Sequence, residues 1–181
     1  IANTRRIIVV SKERYSHKAE WFDESLYPFS YSEISKIVGG SNVGWNFQQL
    51  LKLYAVLTIP AISENVLIVD ADTVFLRKVK FFSEAGLPLY NLSKDKNLDK
   101  SDFHQTTFRH IKKILPEVAQ NFPKNFENIS GICHHMLFEK HIIQELFAAV
   151  EKHDPDKDPF YKIFLKNGEN ACSVAEYNLY F

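Results

Sequence analysis

The first strong apolar cluster is Arg5-Arg6-Ile7-Ile8-Val9-Val10-Ser11, a β-branched run that predicts a buried strand. A polar, aromatic-rich stretch follows, and a short helix is expected over Ser32–Val38, stopped by Gly39-Gly40. The best helical pattern runs from Trp45 to Thr58. There Phe47, Leu50, Leu51, Tyr54 and Leu57 recur at steps of three and four, and Pro60 closes the helix. After a Ser63-Glu64-Asn65 turn, Val66-Leu67-Ile68-Val69 reads as a continuous apolar strand of the parallel-sheet type. It leads straight into Asp70-Ala71-Asp72-Thr73 and a second short apolar run, Val74-Phe75-Leu76.

Farther along, Ser93–Asp102 is polar and loop-like, while Phe108, Ile111, Ile114 and Leu115 mark a helix that ends at Pro116. Ser130-Gly131 precedes an expected strand over Ile132–Phe138. A helix from Lys140 to about His153 then buries Ile143, Leu146, Phe147 and Val150. Asp154-Pro155-Asp156-Lys157-Asp158-Pro159 reads as a loop, and helical segments are expected over Phe160–Lys166 and Ser173–Phe181. Strands alternating with helices predict one α/β domain over residues 1–181, with a mixed, mostly parallel sheet flanked by helices.

Composition narrows the function classes. With 22 Lys+Arg against 22 Asp+Glu, the chain lacks the positive field that non-specific nucleic-acid binding requires. Its 45 % apolar residues exclude intrinsic disorder. Two cysteines, Cys133 and Cys172, form no disulfide scaffold and suggest free thiols, hence a cytoplasmic location. No apolar run reaches the roughly 18–20 residues of a membrane span. The chain opens at Ile1 and its only methionine is Met136, so a trimmed N-terminus is expected.

Asp70-x-Asp72 carries the chemistry. Two carboxylates leaving the carboxyl end of an apolar strand stand where open α/β sheets bind ligands. No Lys or Arg neighbours them in sequence before Arg77, so a hard divalent cation between them, open to phosphate oxygens, would relieve their repulsion. An aspartyl-phosphate phosphatase shares a strand-D-x-D-x-T pattern. That reading fails because no later acidic pair follows an apolar strand and about 65 residues precede the motif. Asp154-x-Asp156-x-Asp158 begins like a calcium loop, but Pro159 stands where glycine is needed, and a solvated loop is the better reading.

The segment from Lys52-Leu53-Tyr54-Ala55 through Ser63-Glu64-Asn65-Val66-Leu67-Ile68-Val69-Asp70-Ala71-Asp72-Thr73-Val74-Phe75-Leu76 resembles the glycogenin-type pattern of GT-A-fold glycosyltransferases. Three further motifs, Gly44-Trp45-Asn46-Phe47-Gln48-Gln49-Leu50-Leu51-Lys52-Leu53, Ser130-Gly131-Ile132-Cys133-His134-His135-Met136-Leu137-Phe138 and Ala175-Glu176-Tyr177, are similar to a group of poorly characterised, mostly bacterial glycosyltransferase-like proteins. The resemblance implies a GT-A (Rossmann-like) fold and metal-dependent transfer of a sugar from a UDP- or GDP-sugar to a glycan or lipid-linked acceptor. Bacterial surface glycan synthesis at the inner face of the membrane would suit such an activity. Asp70 and Asp72 would hold Mn²⁺ or Mg²⁺, and Asp70 and Lys52 would meet the donor, with Gln48 and Gln49 weaker candidates; the other reading of Lys52 is a solvated lysine on the polar face of its helix. His134 and His135 would meet the acceptor or donor sugar, with at most one facing the cleft, because strand neighbours alternate faces.

Glu176 has two readings. It is either the carboxylate that deprotonates the acceptor in an inverting enzyme, or the capping-box partner of Ser173. The glycogenin-like pattern hints instead at retention. A sugar nucleotidyltransferase and a non-catalytic binding or assembly protein of the same fold are the alternatives. The resemblance further implies that residues 1–181 are most of a catalytic domain incomplete at both ends, binding donor weakly by themselves, with a third metal ligand supplied beyond Phe181.

Overall fold

A computed structural model describes residues 4–94, 102–122, 129–169 and 174–180. Strands and helices alternate as β1 (Ile8–Ser11), β2 (Glu20–Asp23), α1 (Tyr31–Ile37), α2 (Val43–Thr58), β3 (Asn65–Val69), β4 (Ser93–Lys94), α3 (Asp102–Ile114), α4 (Pro116–Ala119), β5 (Ile129–Ser130), β6 (His135–Glu139), α5 (Lys140–Lys152), α6 (Phe160–Lys166) and α7 (Glu176–Tyr180). The fold is mixed α/β, with helices around small sheets. Most of the expected Ser93–Asp102 loop and the start of Ser173–Phe181 lie outside the described residues.

The sheet is where the structure departs from expectation. Among the described residues the strands form three pairs, β1 with β2 in parallel, and β3 with β6 and β4 with β5 antiparallel. The Val66–Val69 run, expected in a parallel sheet, is thus antiparallel. A continuous apolar run reports burial on two faces, not the direction of the partner. The first strand is also less buried than expected. Ile7, just before β1, is 63 % exposed and Val9 is exposed too, and among the described residues β1 pairs only with β2. Val74-Phe75-Leu76 is an irregular surface segment in which only Phe75 turns inward. The expected strand over Ile132–Phe138 begins at His135, leaving residues 131–134 as a loop.

Helices α1, α2, α5 and α6 follow their sequence patterns to within about two residues, whereas Pro116, expected only to end a helix, begins α4. Gly39 and Gly40 take left-handed φ values of 66° and 78° after α1, and the Gly40 N–H closes onto the Ser35 carbonyl at 2.9 Å, a turn that L side chains resist. α2 buries Phe47, Leu50, Leu53 and Tyr54 against α1, α5 and α7. Phe160 of α6 stacks on Phe147 of α5 with ring centroids 3.8 Å apart, and Phe138, Phe164 and Ile143 complete the solvent-free centre. Core truncations there are of the class that costs about 3–5 kcal/mol.

His110 of α3 is fully buried. Its Nε2–H donates to the Phe164 carbonyl at 2.7 Å, and Nδ1 has no partner. Burial pushes its pKa down from the ordinary 6.5 to about 4. Protonation therefore favours the unfolded chain. The neutral ring contributes its full stability above about pH 6.5, and about 3 kcal/mol is lost as pH falls through that window to 4. Urea midpoints for the wild type and His110→Leu should converge between pH 6.5 and 4; an unchanged gap across that range would show that His110 does not carry the pH dependence.

Candidate functional site

The antiparallel pairing of β3 with β6 builds the site. Val69 stands opposite His135, and one step farther the Asp70 N–H donates to the His134 carbonyl at 2.9 Å. Asp70 and His134 are thereby held face to face across the strand ends. The His134 carbonyl also accepts from the Thr73 hydroxyl at 3.3 Å, and the Thr73 N–H donates to the Asp70 carbonyl at 3.0 Å. These bonds fold the chain back so that Asp72 faces the same space. One ligand atom each from Asp70, Asp72 and His134 lies within 4.8 Å of the others.

Lys52 enters from α2. Its Nζ lies 2.6 Å from Asp70 Oδ1 and 2.8 Å from Glu176 Oε1, and 4.7 Å above the centre of the Tyr177 ring. The side chains of Lys52 and Glu176 are only 11 % and 4 % exposed. Burial alone would push the Lys52 pKa down, but Glu176 and Asp70 more than offset it, and the ammonium stands above its ordinary value. Burial pushes Glu176 up from the carboxylate range, and Lys52 offsets only part of that. Gln49, one helical turn before Lys52, accepts from the Glu176 N–H at 3.1 Å and is buried. The Tyr177 hydroxyl is buried without a partner, and burial beside Glu176 and Asp70 raises its pKa.

Asp70, Asp72, Lys52 and Glu176 thus form one connected site, and His134 joins it as the third residue of the acidic group. Glu176 is the first residue of α7, and Ser173 lies outside the described residues. Its carboxylate points at Lys52 rather than at open solvent. Gln48 is exposed on α2, and Gln49 is the one that reaches the site. The two histidines do separate. The His134 side chain is 78 % exposed with Nδ1 3.4 Å from Asp70 Oδ2, whereas His135 packs between Phe75 and Phe81, its ring centroid 5.3 and 5.6 Å from theirs. Burial and the neighbouring His134 lower the His135 pKa.

Gln49, a weaker donor candidate from its motif, instead holds the Glu176 backbone, and Tyr177 had no expected role. The three-residue step from Gln49 to Lys52 was the available signal; nothing local marks the Tyr177 ring as a platform for Lys52. The loop beside the site is held by Asn178, whose Oδ1 accepts from the Ser130 hydroxyl at 3.3 Å and the Gly131 N–H at 3.0 Å.

The donor set fits a divalent cation. Asp70 and Asp72 offer hard carboxylate oxygens and His134 a nitrogen, so the three could hold a divalent ion, the carboxylates being of the type that Mn²⁺ and Mg²⁺ take. Asp72 is exposed, and among the described residues no side chain pairs with it. Asp70, Asp72 and Glu176 outnumber the single Lys52 ammonium, so the charge deficit that a cation would fill persists after the internal ion pairs form. Asp154, Asp156 and Asp158 also cluster, but Lys166 pairs with Asp156 and Asp158, and Lys162 lies 3.8 Å from Asp158. Two lysines thus offset most of that group's charge, which suits a solvated loop. No helix of the described residues is long and apolar enough to cross a membrane. No protein-family model, curated protein or solved structure matches the chain.

Proposed function

We propose that the protein is a metal-dependent glycosyltransferase that moves a sugar from a UDP- or GDP-sugar to a glycan or lipid-linked acceptor, at the cytoplasmic face of a membrane. The observation that carries this reading is the convergence of Asp70, Asp72 and His134 within 4.8 Å at the carboxyl end of β3, with the buried Lys52 ammonium beside them. Motif spacing supports it from the sequence side, through the Asp70-x-Asp72 pair and the segments at Gly44–Leu53, Ser130–Phe138 and Ala175–Tyr177.

Asp70 and Asp72 would hold Mn²⁺ or Mg²⁺, with His134 able to join them. The bound ion supplies Lewis-acid stabilisation of the departing nucleoside diphosphate. Lys52 would add a fixed positive charge beside Asp70. Glu176 and Asp70 keep that ammonium protonated and aimed, so it need not reorganise as negative charge develops on phosphate. In this arrangement Glu176 orients Lys52. It sits too deep to take the proton of an acceptor hydroxyl directly. His135, Phe75 and Phe81 form an aromatic wall beside the acidic group, of the kind against which a sugar ring can lie.

A thermal-shift panel of nucleotide sugars on the full-length protein, with and without Mn²⁺, tests the proposal. The correct donor at about 100-fold above its Kd should raise Tm by roughly 5–10 °C, and only when Mn²⁺ is present. A panel in which no UDP- or GDP-sugar shifts Tm with Mn²⁺ would overturn it.

A further inference from the structure

The surface segment that follows Asp72 is unusually apolar for a stretch outside the core. Eight of the seventeen exposed large hydrophobic residues among the described positions fall between residues 74 and 92. Val74, Leu76 and Leu87 are 76 %, 95 % and 65 % exposed, and Leu89 and Leu92 are about half exposed. Singly exposed apolar side chains are ordinary; a concentration in one short segment marks a surface made to be covered. The segment is irregular, held by a turn in which the Ser83 N–H donates to the Leu87 carbonyl at 2.8 Å and by a bridge between Phe82 and Pro88. Phe75 and Phe81 tether it to His135, the neighbour of the acidic group.

Its charges point to what covers it. Arg77, Lys78 and Lys80 are interleaved with the apolar positions and all three are exposed, against one acid, Glu84. None of the three bases forms an ion pair among the described residues. A second copy of this neutral chain would have to bury those unpaired cations. An anionic bilayer instead takes apolar side chains below its headgroups and lets Arg and Lys reach the phosphates with their stems along the acyl boundary. We propose that residues 74–92 form a membrane-docking surface for anionic phospholipid, which holds the mouth of the acidic site against the bilayer. This rests on the exposed segment itself and not on the metal reading, although a lipid-linked acceptor would be delivered at that place.

Co-sedimentation of the full-length protein with phosphatidylcholine vesicles, with and without about one-third phosphatidylglycerol, tests the surface. Binding should require the anionic lipid and fall in high salt, which shortens the reach of surface charge to about 3 Å at 1 M. Arg77→Gln/Lys78→Gln/Lys80→Gln should weaken it by roughly 10- to 100-fold. Leu76→Ser/Leu87→Ser should weaken it by about tenfold or more while leaving Tm unchanged, since both side chains already face water in the free protein. No sedimentation with anionic vesicles, or sedimentation that survives both variants, would overturn the proposal. So would self-association that Leu76→Ser/Leu87→Ser abolishes while vesicles are ignored, an outcome that gives the surface to a second copy. The Mn²⁺-linked donor shift reads the metal site separately, so either proposal can fail alone.

Discussion

Lys52→Met is expected to destabilise the protein by about 3–5 kcal/mol, because it strips the counter-ion from a buried carboxylate. Glu176 has only 4 % of its side chain in contact with solvent, and among the described residues Lys52 is its one charged partner, at 2.8 Å. Asp70, at 18 % exposure, can turn partly to water; Glu176 cannot. The variant also removes the ammonium that lies over the Tyr177 ring, a contact of the kind worth roughly 0.5–2 kcal/mol. The double variant Lys52→Met/Glu176→Leu should recover most of the loss, because an apolar pair in a buried site avoids the desolvation that the ions bear. Urea unfolding of the four species in a double-mutant cycle measures this directly. Equal stability of wild type and Lys52→Met would show that the ion pair does not organise the site.

Asp72→Ala should behave in the opposite way. Asp72 is exposed and pairs with nothing among the described residues, so the substitution should move Tm by no more than about 1–2 °C. Metal affinity should nevertheless fall by about 100-fold or more, since loss of even an outer partner in a metal site costs roughly 10–100-fold. The proposed sugar transfer should fall with it, and excess Mn²⁺ should restore part of that activity. A variant with unchanged stability and lost metal separates the ligand role from a structural one. Asp156→Ala is the control, because Lys166 already compensates that cluster.

The two variants expose what the sequence could and could not carry. Helix α6 follows the expected Phe160–Lys166, and β3 the expected Val66–Val69 run, extended by Asn65, because local periodicity and turn residues determine both. Strand direction was not legible, since Val66–Val69 looks the same beside a parallel or an antiparallel neighbour. That single difference moves His134 from a sugar-contacting candidate to the third member of the acidic group, through a register that pairs residues 64 positions apart. Lys52 presented two options from sequence, donor contact or a solvated helix face, and its ion pair with Glu176 lies 124 residues away. Asp70 lacks a nearby cation only along the chain. In space Lys52 is beside it, so the case for a metal rests instead on the surplus of carboxylates and on the unpaired Asp72.

Titration of the full-length protein with Mn²⁺, read by the electron paramagnetic resonance signal of the free ion, bears most directly on the acidic site. The expected result is one tightly held ion per chain, retained in Asp156→Ala and lost in Asp72→Ala. Equal uptake by the wild type and Asp72→Ala, or no uptake by the wild type even with UDP or GDP present, would contradict the account.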